Sequence, residues 1–326
     1  MWLFAVVVVL GLVAWWGFQP PKPSDFKGPA MVLIPVGDFQ MGDQSMPKVG
    51  YADELPVHTV SVSSFLIGNC EVTKAEWDRV RDWGKNHGFN DLAEGRGKAA
   101  NHPVQDVSWY EVVKWCNARS LQEDLKPCYT VASGIYKTGE DDTVACDWSA
   151  NGYRLPTEVE WEKAARGGLV GKDYPWGDSI NQSRANYRED HTPSKLTALW
   201  QQMLDKVIPW KPRSGGASGY HPAYETGNVP YTSPVASFAA NGYGLHDMAG
   251  NVSEWCWDSY DAYLSGSQTD PRGAASGTYR VDRGGGWASY AGSCRAAYRC
   301  RITPTRAISD FGFRVARSSV LPAGSR

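Results

Sequence analysis

Three positions carry the side-chain pattern with which an α-helix begins, and they constrain the fold more than any other feature of the chain. At Thr73, Ser108 and Thr157 a hydroxyl residue stands three positions before a Glu. In such a capping box the hydroxyl accepts a hydrogen bond from the third amide of the helix, and the Glu reaches back to the cap. Trp and small apolar residues follow at helical spacing, so the pattern predicts three helices with one buried face each.

Strand signals are shorter than the helical ones. β-branched or alternating runs predict strands over residues 31–36, 39–42, 58–62, 129–131, 143–145 and 312–316. The strands at 129–131 and 143–145 are expected to form a hairpin. Between Gly168 and Gly285 the chain is rich in Gly, Pro, Asn, Asp, Ser and aromatic residues, which predicts an irregular stretch fixed by a ligand or a metal. No repeat interrupts this organisation, so we expect one domain over residues 29–318 and a tail at 319–326.

The charge balance argues against nucleic acid as a partner. The chain has 33 Lys and Arg against 35 Asp and Glu, a formal net charge of −2. Because the basic residues are spread along the sequence, they form no stripe that would neutralise a phosphate backbone.

An uncharged apolar run occupies residues 2–18. Its length is at the short end for a membrane-spanning helix and long for the core of a signal peptide. No small-residue cleavage site follows it, and the Pro-rich segment 19–28 predicts an extended tether. We therefore expect a membrane-anchored, exported protein. The alternative is a protein secreted after cleavage of residues 1–18.

Seven cysteines occur without a C-x-x-C pair and without histidines at zinc-ligand spacing, which argues against a structural zinc site. Cys128 and Cys146 flank the predicted hairpin, so in an oxidising compartment they could face each other as a disulfide. Alternatively, most of the seven are small buried hydrophobes.

Five short motifs follow one another along the chain. They are MVLIP at 31–35, NGYRLPTE at 151–158, GNVSEW at 250–255, RGGGW at 283–287 and GFRV at 312–315. In this order they resemble the formylglycine-generating enzyme, or sulfatase-modifying factor, family. The resemblance implies an α+β fold of the elaborated C-type-lectin-like kind, with little regular secondary structure. It also implies an oxidoreductase that converts a cysteine of a protein or peptide substrate to formylglycine.

Bound calcium is a further implication of the resemblance. The matching positions are the side chains of Asp247 and Glu254, the carbonyls of Gly250 and Val252 and, for a second ion, Asn186 and Tyr187. Ca²⁺ takes such mixtures of side-chain and main-chain oxygens. The acidic partner of the second site falls near residues 227–228, where the sequence reads Gly-Asn. For Asp247 and Glu254 the alternative is a hydrogen-bonded turn without an ion.

The copper site of the family is only partly matched. That family holds Cu(I) between two thiolates, and the resemblance places them at Ser289 and Cys294. Cu(I) prefers soft sulfur ligands, which a hydroxyl cannot replace. Gly286 and Ser253 also depart from the family, which has Ser and Trp at these positions. Cys300 could pair with Cys294 as a disulfide or as a second copper ligand, so the catalytic copper chemistry is expected to be altered or lost.

A non-catalytic, ligand-binding role is the alternative function. Variable proteins of diversity-generating retroelements have a similar lectin-like fold and vary exposed residues in this C-terminal segment. Residues 288–310 contain no Lys, Glu, Gln, Met or Trp, the composition that such variation would leave. The exposed contacts would be Ser289, Tyr290, Tyr298, Ile302 and Thr305. Tyr, Ser and Arg make adaptable binding surfaces, so a protein or peptide ligand is physically sensible.

Overall fold

The computed structural model describes residues 30–45, 50–189, 219–274 and 276–319. The predicted anchor at 2–18 and the tether at 19–28 lie outside these ranges. Within them, no helix is both long and apolar enough to cross a membrane.

The three predicted helices are confirmed. They are α1 (Lys74–Lys85), α2 (Trp109–Gln122) and α3 (Glu158–Arg166). Complete capping boxes begin α2 at Ser108 and α3 at Thr157.

The start of α1 differs from the prediction. Thr73 Oγ1 accepts a hydrogen bond from the amide of Glu76 at 3.2 Å, but the Glu76 carboxylate does not return to the cap. It forms an ion pair with Arg119 of α2, and both side chains are buried. Because a buried carboxylate needs a charged partner, the tertiary contact overrides the local motif.

Thirteen short strands make up the β-structure of the described ranges. They are β1 (Met31–Ile34), β2 (Gly37–Met41), β3 (His58–Val62), β4 (Phe65–Gly68), β5 (Tyr129–Val131), β6 (Gly134–Ile135), β7 (Ala145–Cys146), β8 (Ser253–Ser259), β9 (Gln268–Thr269), β10 (Arg280–Arg283), β11 (Arg299–Ile302), β12 (Phe311–Gly312) and β13 (Ala316–Ser318). The sheets have the strand orders β1-β4-β13, β11-β10-β8-β12, β2-β3-β9 and β6-β5-β7.

Two of the strand predictions need correction. β8, β9 and β10 lie inside the stretch predicted to be irregular, and β8 is the longest of them. Nearly all of its residues are buried, so its sequence lacks the alternation that marks a half-buried strand. The strand predicted at 312–316 is divided into β12 and β13. Between them Phe313 enters the core and packs edge-on against Trp77 and Trp115.

The helices build two separate parts of the core. Trp77 of α1 and Trp115 of α2 are stacked, with ring centroids 5.8 Å apart. α3 packs against β2, β3, β8 and β10, and its Trp161 is fully buried next to Gly284. α3 therefore supports the glycine turn that follows β10.

In place of the predicted two-stranded hairpin, β5 pairs with β6 on one side and with β7 on the other, and the β5–β7 pair brings two cysteines together. Cys146 of β7 pairs with Tyr129 of β5, and the amide of Asp147 donates to the carbonyl of Cys128 at 2.7 Å. The two thiols are hydrogen-bonded to each other. Both are free thiols in the structure, so the disulfide itself stays a prediction.

Oxidation of Cys128 and Cys146 is expected to stabilise the fold by roughly 3 kcal/mol, the value for closing a loop of this length. The melting temperature of the oxidised protein should fall when a reductant is added. The Cys146→Ser variant serves as control, because its melting temperature should not respond to the reductant. Full alkylation of both thiols in protein folded under oxidising conditions would contradict the prediction.

Candidate functional site

A turn of glycines follows β10 and shapes the predicted catalytic region. Gly284 and Gly285 have φ of 88° and 66°, values that favour glycine. A Cβ at Gly285 would lie 3.1 Å from Cys294 Sγ and 3.2 Å from Ser289 Cβ. The absence of that atom lets Ser289 and Cys294 converge on one point.

The Ser289 hydroxyl is part of this turn. Its Oγ accepts a hydrogen bond from the amide of Gly286 at 3.0 Å, and the Ser289 amide donates to the carbonyl of Gly286 at 2.9 Å. The carbonyl of Ser289 accepts a hydrogen bond from the Arg188 amide at 2.8 Å. The hydroxyl is therefore held by the backbone beside the Cys294 thiol.

Cys294 is a buried, neutral thiol. It ends a short 3-10 helix at Ala291–Cys294 and packs in an apolar cluster with Tyr174, Tyr187 and Ala249. Burial raises the pKa of the thiol to about 12. The thiol is therefore neutral when no metal ion is bound.

Cys300 lies in a different environment. It is opposite Asp282 across the β10–β11 pair, and its thiol is hydrogen-bonded to Asp282 and to Tyr298. Burial, followed by the negative charge of Asp282, raises the pKa of Cys300 to about 11. Both cysteines are free thiols, and the structure brings Cys294 together with Ser289 rather than with Cys300.

Gly286 and Ser253, the two other positions that differ from the family, each contact the carboxyl-bearing side chain or backbone of an aspartate. A Cβ at Gly286 would lie 2.8 Å from both Cβ and the carbonyl oxygen of Asp310. Ser253 Oγ donates to Asp282 Oδ2 at 2.5 Å, and burial raises the pKa of Asp282 to about 7. A side chain at Gly286 would therefore crowd Asp310, and a side chain without a hydroxyl group at position 253 would lose the hydrogen bond to Asp282.

Gly286→Ser is expected to destabilise the fold by about 1–3 kcal/mol, the usual cost of forcing atoms into a packed site. Gly292→Ser is the matched control, because a Cβ at Gly292 meets nothing within 4 Å. Urea denaturation measures both changes. Equal stability of the two variants would contradict the prediction, because it would show that Asp310 moves aside without a loss of folding free energy.

The predicted calcium ligand Glu254 is occupied by protein groups. Its carboxylate forms a bidentate ion pair with Arg314, at 2.6 Å to Nε and 2.7 Å to Nη2. Trp161 Nε1 donates to the same carboxylate at 2.7 Å. All three side chains are buried, so a cation at Glu254 would have to displace the guanidinium.

Asp247, the other predicted carboxylate ligand, is less completely occupied by protein groups than Glu254. Its Oδ2 accepts a hydrogen bond from the Ala236 amide at 2.6 Å, whereas its buried Oδ1 has no hydrogen-bond partner among the described residues. Glu71 lies beside it and keeps one buried oxygen without a partner. Unpaired buried oxygens are what a hard cation would satisfy.

The two segments implied in calcium binding meet each other. The carbonyl of Asn186 accepts a hydrogen bond from the Asn251 amide at 2.7 Å and lies against Gly250, whose φ is 81°. Asn186 Oδ1 is buried without a hydrogen-bond partner in the described ranges. Tyr187 packs with Cys294, and Val252 is fully buried. No group of three or more His, Cys, Asp or Glu there could hold a metal ion, so calcium binding stays a prediction.

The predicted ligand surface is spread over the C-terminal segment. Tyr290 is exposed and Ser289 half-buried, whereas Tyr298 contacts Tyr51 edge-on at 5.7 Å. Ile302 is half-buried and Thr305 exposed.

Sequence reasoning missed the aromatic side chains next to Tyr290. The Arg188 guanidinium lies 5.3 Å from the Tyr290 ring and 4.9 Å from the Tyr220 ring. Tyr220 and Tyr231 pack against the Trp287 ring at 5.4 and 5.2 Å. These residues come from distant parts of the chain, and their aromatic character was the only local signal.

Comparison with a protein-family model decides the family. Residues 18–319 match the model described as Sulfatase-modifying factor enzyme 1-like domain. The chain belongs to the sulfatase-modifying factor family. The formylglycine-generating enzyme of Streptomyces coelicolor is 32% identical over 330 residues, covering 93% of this chain and 93% of that protein. The chaperone protein LppX of Paenibacillus barcinonensis is 33% identical, covering 88% and 89%.

Solved structures of sulfatase-modifying factor relatives confirm the expected fold. Treponema denticola variable protein 1 is 29% identical and covers 90% of this chain and 98% of its own, with a TM-score of 0.64. CarF is 27% identical and covers 90% and 99%, with a TM-score of 0.62. The α+β, C-type-lectin-like fold with little regular secondary structure is therefore established for this chain.

Proposed function

We propose that this member of the family binds a protein or peptide ligand and does not carry out copper-dependent formylglycine synthesis. The observation that carries the proposal is the Ser289 hydroxyl, which is fixed in the glycine turn beside Cys294. The family's first copper thiolate belongs at that position.

Ligand chemistry supports the loss of copper binding. Cu(I) is held by soft thiolates, and this point offers one hydroxyl and one buried neutral thiol. Asp310 packs against Gly286, and Asp282 accepts a hydrogen bond from Ser253. These contacts stand where the resemblance implies a serine and a tryptophan side chain. A single buried thiol would hold Cu(I) only weakly.

The surface around Ser289 supports a binding role. Tyr290 is 46% exposed and stands beside Arg188 and Tyr220. Tyrosine provides a large contact area at modest entropic cost, and both tyrosine and arginine are enriched at binding hot spots. The similarity to a protein named variable protein 1, over 98% of its length, supports a variable surface in this fold.

We also infer that calcium stabilises the fold at Asp247 with Asn186 and the neighbouring Glu71. All three have a buried oxygen without a hydrogen-bond partner among the residues described. A cation that binds only the folded protein raises its stability by mass action. Calcium should therefore raise the melting temperature of the wild type more than that of Asp247→Asn.

We further propose that residues 2–18 anchor the exported protein in a membrane. The family match begins at residue 18, so the apolar run precedes the domain. Recovery of a soluble protein whose N-terminus begins after Phe18 would exclude the anchor.

Competition for Cu(I) with a chromogenic chelator tests the loss of the copper site. The wild type should not retain Cu(I), whereas Ser289→Cys should gain about tenfold or more in affinity because a second sulfur ligand is added. Adding Cys294→Ala to Ser289→Cys should remove that gain. Stoichiometric Cu(I) on the wild type that is lost in Cys294→Ala would refute the proposal.

A further inference from the structure

A cleft lies at the beginning of β10, whereas the glycine turn follows the end of that strand. Its cavity volume is about 630 Å³, within the range of ~300–1,000 Å³ typical of ligand pockets. The residues that matter for its chemistry are Arg280, Tyr110, Glu140, Asp142, Trp257 and Thr305.

Arg280 is a half-buried cation held between aromatic rings. Its guanidinium carbon lies 3.8 Å from the ring centroid of Trp109 and 5.3 Å from that of Trp257. Nη1 donates to the Trp257 carbonyl at 2.8 Å. No described carboxylate lies within ion-pair distance of this guanidinium.

The fully buried arginines of the protein differ from Arg280 in this respect. Each has a carboxylate partner, and they are Arg119, Arg154, Arg166, Arg283, Arg295, Arg299 and Arg314. Asp258 and Asp142 attract Arg280 from beyond contact distance, and a partly desolvated cation without a direct ion-pair partner is costly. The remaining N–H groups of Arg280 thus offer a carboxylate of a ligand a favourable partner.

Two carboxylates also line the cleft. Glu140 and Asp142 are exposed, and the buried Tyr110 orients Asp142 by donating its hydroxyl hydrogen to Oδ1. The cleft therefore offers one positive group and two negative groups.

We propose that this cleft binds a zwitterion of the amino-acid or short-peptide class. The ligand carboxylate pairs with Arg280, and its ammonium group pairs with Asp142 and Glu140. A simple anion would meet the repulsion of two carboxylates, and a simple cation would leave Arg280 unpaired. Sugar hydroxyls could hydrogen-bond here but would not neutralise Arg280. The inference does not depend on the loss of copper chemistry, because it does not involve Ser289 or Cys294; of the predicted surface residues in the C-terminal segment, only Thr305 also lines the cleft.

Binding is tested with the wild-type protein by isothermal titration of the free L-amino acids and the alanyl dipeptides. The best ligand is then compared with its N-acetylated and C-amidated forms. We expect C-amidation to weaken binding about thirtyfold, because it removes the partner of the half-buried Arg280. N-acetylation removes the partner of exposed carboxylates and should weaken binding about threefold to fivefold. No binding by any ligand, or equal binding by both capped forms, would overturn the proposal.

Variants of the residues that line the cleft provide a second test of ligand binding. Arg280→Gln and Asp142→Asn should each lose affinity to the same degree as the matching capped ligand. Arg301→Gln is the control, because Arg301 is exposed on the adjacent β11 and lies 5.0 Å from the Tyr260 ring. Unchanged affinity in Arg280→Gln, or displacement of the ligand by neutral maltose, would contradict the assignment. If Arg280→Gln does not fold, the capped ligands on the wild type decide the matter.

Discussion

Glu254→Gln is expected to lower the free energy of unfolding by about 3–5 kcal/mol, because it leaves the fully buried Arg314 without its counter-charge. The Glu254 carboxylate contacts Arg314 at 2.6 and 2.7 Å. Asp178→Asn is the matched control, since it breaks the exposed pair with Lys172 and should cost at most about 1 kcal/mol. Urea denaturation of the three proteins measures both losses.

Repeating this experiment with calcium and with a chelator separates the two roles implied for Glu254. If Arg314 is its only cationic partner, the loss in Glu254→Gln is the same under both conditions. If Glu254 holds calcium, the loss is larger when calcium is present, because the wild type alone then gains the binding energy. We expect equal losses.

Asp258→Asn is expected to remove a large pH dependence from the stability of the protein. Burial, followed by the negative charge of Glu158, raises the pKa of Asp258 to about 8. Glu160, Arg299 and Arg280 are further charged groups that act on it. Asp258 Oδ2 accepts a hydrogen bond from the Glu158 amide at 2.8 Å, and an Asn oxygen can keep that contact.

The sign follows from proton binding. Between the ordinary pKa of this carboxyl and a pH of about 8, the folded protein holds a proton that the unfolded chain has lost. Stability contributed by Asp258 is therefore present at low pH and falls by up to about 1.4 kcal/mol per pH unit as the pH rises through this window. Asp258→Asn should be more stable than the wild type at pH 8.

Urea denaturation across this pH window tests the prediction. The difference between wild type and Asp258→Asn should grow with pH, while the exposed Asp261→Asn should follow the wild type. Parallel curves for the wild type and Asp258→Asn would show that Asp258 is ionised in the folded protein.

Local sequence patterns predicted the helices but not the central strand. The caps at Ser108 and Thr157 act within one helical turn, so they are visible in a short window. β8 is buried along nearly its whole length, and no alternation marks it. The capping box at Thr73 failed because Glu76 found a partner, Arg119, on another helix.

In the candidate site, too, the sequence predicted some of the residues but not the partners that tertiary packing gives them. The family resemblance identified Ser289 and Cys294, which both lie close to Gly285. The partner of Glu254 is Arg314, 60 residues away. Arg188 likewise reaches Tyr290 through the fold rather than through any local motif. Such contacts depend on tertiary packing, which a window of sequence does not contain.

Mass spectrometry of a cysteine-containing sulfatase peptide tests the central claim most directly. The full-length protein is incubated with the peptide, Cu(I), O₂ and a thiol reductant, and the Streptomyces coelicolor formylglycine-generating enzyme serves as positive control. We predict that the peptide keeps its cysteine with this protein, because Ser289 and the buried Cys294 provide no pair of thiolates for copper. Conversion of that cysteine to an aldehyde would contradict the account.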